Sequence, residues 1–332
     1  MPVHNASGFL HEAIKTVLCQ TLSNFEFLII DDGSTDDSAR IINSFSDNRI
    51  RFLQNETNLG ITYTLNKGIS EARSALIARM DADDICYPGR LETQFLFMNR
   101  NPGYAMVSAA ARVITEEGTV LRVDRYQDSH MYFNLNFICW IYHSTVMYRR
   151  EVVLACGGYQ QDFSEDFDLW WRISRSNRIA HLQEVLLDYR ETRKSLSRAS
   201  QKSEYETAQH NQVLRNIYYY TGPEFKISYA EIECLRFKFG PILALNSINA
   251  ITSFFKKLRH ISNCILSKPN VNLDPGNLKA AYQSKMIFTL FSIIRHLSVT
   301  GMVQVLLRTG GIGFRLNYLK EVVTGIDEIE TE

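Results

Sequence analysis

The 332 residues contain no CxxC pair and no cluster of cysteine with histidine; the six cysteines, Cys19, Cys86, Cys139, Cys156, Cys234 and Cys264, are dispersed. That excludes the usual zinc spacings and a disulfide scaffold, and leaves reduced, mostly buried thiols, the pattern expected in the cytoplasm. Proline is scarce, with seven in the whole chain, and no Pro- or Gly/Ser-rich tract occurs, so disordered and fibrous classes are excluded. Neither sign of charge predominates: 36 lysines and arginines meet 36 aspartates and glutamates, which argues against a nucleic-acid partner. Long apolar runs are missing too. The longest stretch free of charged residues and histidine, 239–255, is broken by Pro241, Asn246, Ser247 and Asn249, short of the ~20 apolar residues of a spanning helix. Residues 1–9 carry neither the basic nor the apolar segment of a secretory signal. No GxGxxG run follows the first strand and no Gly-rich phosphate loop stands near the start, which disfavours a nicotinamide oxidoreductase and a nucleotidyltransferase.

What remains is a globular composition, 45% hydrophobic and 22% charged, with charge unevenly placed. Residues 225–320 hold 13 lysines and arginines against 3 acids, whereas residues 1–200 hold 21 against 25. The first 110 residues alternate short apolar runs with helical periods, the pattern of a mostly parallel, Rossmann-like sheet flanked by helices. Strands are expected at 25–30, 50–53 and 75–80, and helices over 9–18, from Asp36, over 61–72 and after Pro88. Only Met1, Pro2 and Val3 precede the turn at Asn5, so the first strand is either short or begins upstream. Residues 104–148 read as mixed β structure, 195–203 as a polar linker, and the rest as a helical, basic tail.

Acids cluster where such sheets bind ligands, at the carboxyl ends of strands. Asp31-Asp32-Gly33-Ser34 ends one predicted strand and Asp81-Ala82-Asp83-Asp84 ends another. So many carboxylates in one crevice repel unless a divalent cation, Mg²⁺ or Mn²⁺, is shared with substrate phosphates. A third pair, Glu165-Asp166, precedes an apolar helical stretch and suits a general base. Gly157-Gly158-Tyr159 just upstream reads as a flexible turn.

These motifs occur in an ordered series. Pro2-Val3-His4-Asn5-Ala6, Gln20-Thr21, Asp31 to Asp36, Asn58-Leu59-Gly60, Leu65-Asn66-Lys67-Gly68, Ala78-Arg79-Met80-Asp81-Ala82-Asp83-Asp84, Arg90-Leu91, His143-Ser144-Thr145, Gly157-Gly158-Tyr159 and Glu165-Asp166 with Asp168-Leu169-Trp170 together resemble family 2 glycosyltransferases of the GT-A fold. The resemblance covers residues 1–198, with a nucleotide-sugar half over 1–110 and an acceptor half over 111–198; 199–332 is then a helical, basic extension. It implies an inverting transfer of one sugar from a nucleoside-diphosphate donor, most often UDP-linked, to a glycan or glycolipid hydroxyl in cell-surface polysaccharide assembly. Donor contacts would come from Pro2, His4, Asn5, Asp32, Gly60, Asn66, Arg79, Asp81 and Ala82, with the cation on Asp83. Asp166 would be the catalytic base, with Glu165 beside it, and His143, Trp140 and Arg193 on the acceptor side.

The chain departs from the family in three places: the short first strand, His4 where the family usually has tyrosine, and Thr192 where it often has histidine, with Arg193 or Lys194 as candidate replacements for that charge. These departures keep one rival in view, a degenerate transferase that binds nucleotide or a partner without turnover. The basic tail has two readings. A polar stripe through Thr289, Ser292, His296, Thr300, Gln304 and Arg308, with Lys256, Lys257, Arg259, Lys279, Lys285 and Arg295 nearby, either packs on the catalytic domain or lies on an anionic membrane, on its cytoplasmic face.

Overall fold

The computed structural model describes residues 1–192 and 202–309, which fall into two compact units. One comprises Met1–Ile217 with Pro269–Ala281; the other comprises Tyr218–Lys268 and the residues from Tyr282 onward. The first unit thus runs past the boundary read at 198 and takes back a short stretch of the tail.

In the first unit, β1 (Pro2–Val3), α1 (Leu10–Leu18), β2 (Phe27–Asp32), α2 (Ser38–Asn43) and β3 (Ile50–Asn55) build a three-stranded parallel sheet in the order β1-β2-β3. Short as it is, β1 is in register, Pro2 opposite Ile30 and Val3 opposite Asp31. Leu10, Ala13, Ile14 and Val17 share one face of α1 and are buried, Leu10, Ile14 and Val17 packing in a core with Val3, Phe27, Ile29 and Ile42. The pleat therefore delivers Asp31 and Asp32 to the carboxyl edge of β2, where both are buried.

The chain continues through α3 (Ile61–Glu71), β4 (Leu76–Ala78), β5 (Ile85–Cys86), α4 (Arg90–Arg100), β6 (Tyr104–Ile114), β7 (Val120–Asp124), α5 (Asp128–Asn134), a 3-10 turn (His143–Thr145), β8 (Met147–Arg149), α6 (Arg150–Ala155), α7 (Glu165–Ser174), β9 (Arg178–Arg190) and α8 (Lys202–Thr221). Its second sheet has the order β4-β8-β6-β9-β5, with β7 added on β6. Here the pairing is mixed, as read for 104–148: β6 and β9 run parallel, and β4/β8, β5/β9, β6/β7 and β6/β8 are antiparallel. The β6–β7 connection shows why, because a five-residue return through Gly118, at φ 88°, makes a hairpin and cannot make a crossover.

The second unit is helical: α9 (Tyr229–Leu235), α10 (Gly240–Ala244), α11 (Ile248–Ser267), most of α12 (Pro275–Ile294) and α13 (Val299–Thr309). The polar stripe expected over 286–308 does not lie on one helix. The chain breaks between α12 and α13, and Thr289, Ser292 and Lys285 are buried. Lys285 donates to the Leu235 carbonyl at 2.7 Å and lies over the Phe237 ring at 3.8 Å; burial pulls its pKa down to about 7. No described helix is long and apolar enough to cross a membrane.

Candidate active site

Asp32 organises the first edge of the cleft. Its carboxylate accepts from Asn55 Nδ2 (2.7 Å), the Leu59 amide (3.0 Å) and the Gly60 amide (2.9 Å), leaving about one of its roughly four acceptor sites for a ligand. Gly60 makes this possible, since φ 90° at that residue is costly for any side chain with a Cβ. Gly33 is fixed in the same way: at φ 65° a Cβ there would come within 2.5 Å of the Thr57 backbone. His4 donates from Nδ1 to the Asp32 carbonyl at 2.8 Å, and its Nε2 faces the side-chain amides of Asn5 and Asn58, each at 3.1 Å. Asn5, in the left-handed region at φ 50°, accepts from the Thr35 amide at 2.8 Å. His4, Asn5, Asp32 and Gly60 are thus drawn into one corner, with Pro2 on the neighbouring strand opposite Ile30.

Between β4 and β5 the chain carries its acids on the loop 79–84. Asp81 is fixed twice, by the Arg79 guanidinium at 2.5 Å and by the Ser144 hydroxyl at 2.7 Å. Burial works against its charge, but Arg79, His143 and Ser144 outweigh that cost and hold its pKa down to about 2. Asp83 and Asp84 go the other way. Burial and the neighbouring Asp81 charge push Asp83 up to about 7, and burial with Asp83 and Asp81 raises Asp84 well above the carboxylate range. Arg190 backs this loop, its amide on Asp84 Oδ1 and its Nε on the Asp83 carbonyl, both at 2.8 Å. Ala82 is buried.

Among the described residues no three His, Cys, Asp or Glu side chains form a ready metal cage. The half-buried Asp83 carboxylate, repelled by Asp81 and held by no described side chain, nonetheless fits a hard cation that takes one protein carboxylate and completes its shell with water and phosphate oxygens.

Glu165 and Asp166 begin α7, preceded by Ser164 in the left-handed region at φ 57°. Asp166 accepts from the Phe167 amide at 2.7 Å. Burial and the Asp166 charge push Glu165 up to about 8, while burial lifts Asp166 only to about 6 against that amide. Burial thus makes the pair hold a proton more tightly than free carboxylates do, and the Phe167 amide favours the charge on Asp166.

A chain of side chains joins the two acidic groups. Arg79, buried, binds Asp81 through one terminal nitrogen and donates from Nε to His143 Nε2 at 3.2 Å. The same nitrogen of His143 faces the Tyr159 hydroxyl at 2.8 Å, so the ring proton resides on Nδ1, which lies 3.7 Å from Glu165 Oε1. Burial and the Arg79 charge keep this imidazole neutral.

Other expected residues have different duties. Asn66 pairs with both backbone groups of Tyr159, donating at 2.8 Å and accepting at 2.9 Å, and Arg172 donates to the Gly158 carbonyl at 2.7 Å. The Gly157–Gly158 turn, expected to be flexible, is thus braced from two sides. Trp140 stacks on Tyr126 with centroids 4.9 Å apart. Arg193 and Lys194 lie outside the described residues, and Thr192 is buried. A cleft of about 480 Å³ between α1 and residues 85–88, lined by His11, Lys15, Cys19 and Tyr87 among others, contains none of the expected residues.

Sequence reasoning missed Ser144, Arg190 and Tyr205. Ser144 stands in a quoted motif without a role. Tyr205, on α8 beyond the linker, feels the charges of Asp166 and Glu165, which together with burial keep its hydroxyl protonated; nothing in the local sequence points to it.

Residues 1–158 match the family model described as glycosyl transferase family 2. The O-antigen biosynthesis glycosyltransferase WbnJ of Escherichia coli is 34% identical over 209 residues, covering 60% of this chain and 81% of WbnJ. The chain belongs to glycosyl transferase family 2. Two solved structures share the fold. S. aureus TarS 1-349 in complex with UDP aligns with a TM-score of 0.54 at 15% identity, over 90% of this chain and 91% of that one. The mannosyltransferase PcManGT of Pyrobaculum calidifontis, in complex with GDP-Man and Mn2+, aligns with a TM-score of 0.51 at 13% identity, over 93% and 85%. This family 2 glycosyltransferase thus has a GT-A-type fold.

Proposed function

We propose that this glycosyltransferase moves one sugar from a nucleoside-diphosphate donor, UDP-linked in the first instance, to a hydroxyl of a glycan or lipid-linked glycan, inverting the anomeric centre. The observation that carries the reading is the row of side chains from Asp81 through Arg79 to His143, whose Nδ1 stands 3.7 Å from Glu165 Oε1, so that the acids of the 79–84 loop and those of α7 lie at its two ends. Asp32, with Pro2, His4 and Asn5, frames the nucleoside corner, and Arg79, Asp81 and Ala82 the ribose and sugar side. Asp83 would hold a divalent cation, Mn²⁺ or Mg²⁺, which when bound neutralises charge on the leaving diphosphate. Asp166 removes the proton from the attacking hydroxyl. One displacement without a covalent intermediate inverts configuration. The names of the relatives, O-antigen biosynthesis for WbnJ and UDP in the TarS complex, support polysaccharide assembly and a uridine donor; the cytoplasmic face of a membrane is where a lipid-linked acceptor would be met.

A thermal-shift screen of UDP-, GDP-, CDP- and dTDP-sugars with and without Mn²⁺, followed by nucleotide release with the best binder, tests this. A ligand that binds only the folded state raises Tm; we expect a cation-dependent rise with one nucleotide class and release of the diphosphate on adding acceptor glycan. Binding without release under any acceptor would favour the degenerate reading, and no binding at all would overturn the donor assignment.

A further inference from the structure

The outward face of α13 carries an apolar row beside a polar one, Thr300, Gln304 and Arg308, all exposed. Val299, Val303 and Leu307 recur at i, i+4 and i+8, one line along the helix, and are 76%, 48% and 61% exposed. The opposite face, with Gly301, Val305 and Thr309, is buried. The ridge is therefore not a side of the core that happens to show; the helix has a second apolar face, and none of the described residues covers it.

Charge around it has one sign. Arg308 follows Leu307 directly and donates to Asn249 Oδ1 at 2.7 Å, and Arg259 of α11 reaches the Thr309 carbonyl at 3.5 Å. Lys256, one turn before Arg259, and Arg295, just ahead of α13, are exposed. The acids of this unit are turned away: Glu231 and Glu233 are buried and bound to Lys257 at 2.7 Å and to Arg236 at 2.6 Å, leaving Glu224 as the exposed acid among its described residues.

We infer that the α13 ridge is a docking surface for an anionic lipid layer, with Val299, Val303 and Leu307 entering the headgroup–acyl boundary and Arg259, Arg295, Arg308 and Lys256 meeting lipid phosphates. Charge complementarity selects this occupant over a neutral apolar one. Size selects it over a second protein, since a stable pair buries about 800 Å² per partner, far more than three aliphatic side chains offer, whereas a bilayer asks for no shape. The docking deepens the reading of a lipid-linked acceptor, but it is measured without turnover, so each can fail alone.

The test is co-sedimentation of the full chain with vesicles of phosphatidylcholine alone or with about one-third phosphatidylglycerol. We expect binding to the anionic vesicles only, weakened by salt. It should fall about tenfold or more in Val303→Glu/Leu307→Glu and more modestly in Lys256→Glu/Arg259→Glu, with Tm and nucleotide-sugar binding unchanged because all four side chains are exposed or reach the surface. Equal binding of the ridge variant, or no binding of the wild type to anionic vesicles, overturns the proposal. So does a concentration-dependent dimer in light scattering that the ridge variant abolishes, which would assign the ridge to a second copy.

Discussion

Asp166→Asn is expected to bind donor as tightly as the wild type and to lose transfer by about 10²–10⁴-fold, the usual contribution of a placed general base. Asparagine keeps the oxygen that accepts from the Phe167 amide at 2.7 Å, so α7 still starts in the same place and the loss reads on chemistry. The companion variant Glu165→Gln, at a carboxyl that burial and Asp166 push up to about 8, should cost far less. The pH profile separates the two. With Asp166 as base the wild-type kcat/KM climbs as pH rises through about 6 and is already high at neutrality; with Glu165 as base the climb would centre near 8. Single-turnover rates of the three proteins across pH 5–9 decide it, and near-wild-type turnover of Asp166→Asn removes that residue from the role.

Asp83→Ala carries the other large effect. Removing the Asp83 carboxylate, which no described side chain holds, should abolish the Mn²⁺-dependent part of nucleotide-sugar binding and lower transfer by about 10³-fold, in line with the several kcal/mol a Lewis acid contributes to the transition state. The fold should survive, since the substitution relieves both the burial of a carboxyl and the repulsion from Asp81, which together raise Asp83 to about 7. Calorimetric titration with and without Mn²⁺ checks it. Unchanged, metal-dependent affinity in the variant would place the cation elsewhere.

The donor side of this architecture was legible because its signals are local. The period of α1, the turn glycines and the acids at strand ends all lie within a few residues of the structure they specify. β9 was not legible: His181, Gln183, Glu184 and Asp188 interrupt the alternation, and the two that are buried are tolerated through distant partners, His181 beside Ser108 at 2.9 Å and Asp188 beneath Arg112 and Tyr87. The duties of Asn66 and Asp32 escaped for the same reason. Residue type announced polar chemistry, but only the fold reveals that Asn66 braces the Tyr159 turn and that Asp32 already holds three protein donors. His143 is the intermediate case: its motif was visible, while its neutral, Nδ1-protonated form depends on Arg79, 64 residues away.

The central claim is a direct displacement driven by one carboxylate base, and the anomeric configuration of the first product tests it most directly. With the donor found in the nucleotide screen, proton NMR of the product formed in the first turnovers should show the anomeric coupling of the configuration opposite to the donor's. A product that retains the donor's configuration would contradict the account, because it requires a second displacement or a front-face path that Asp166 does not serve.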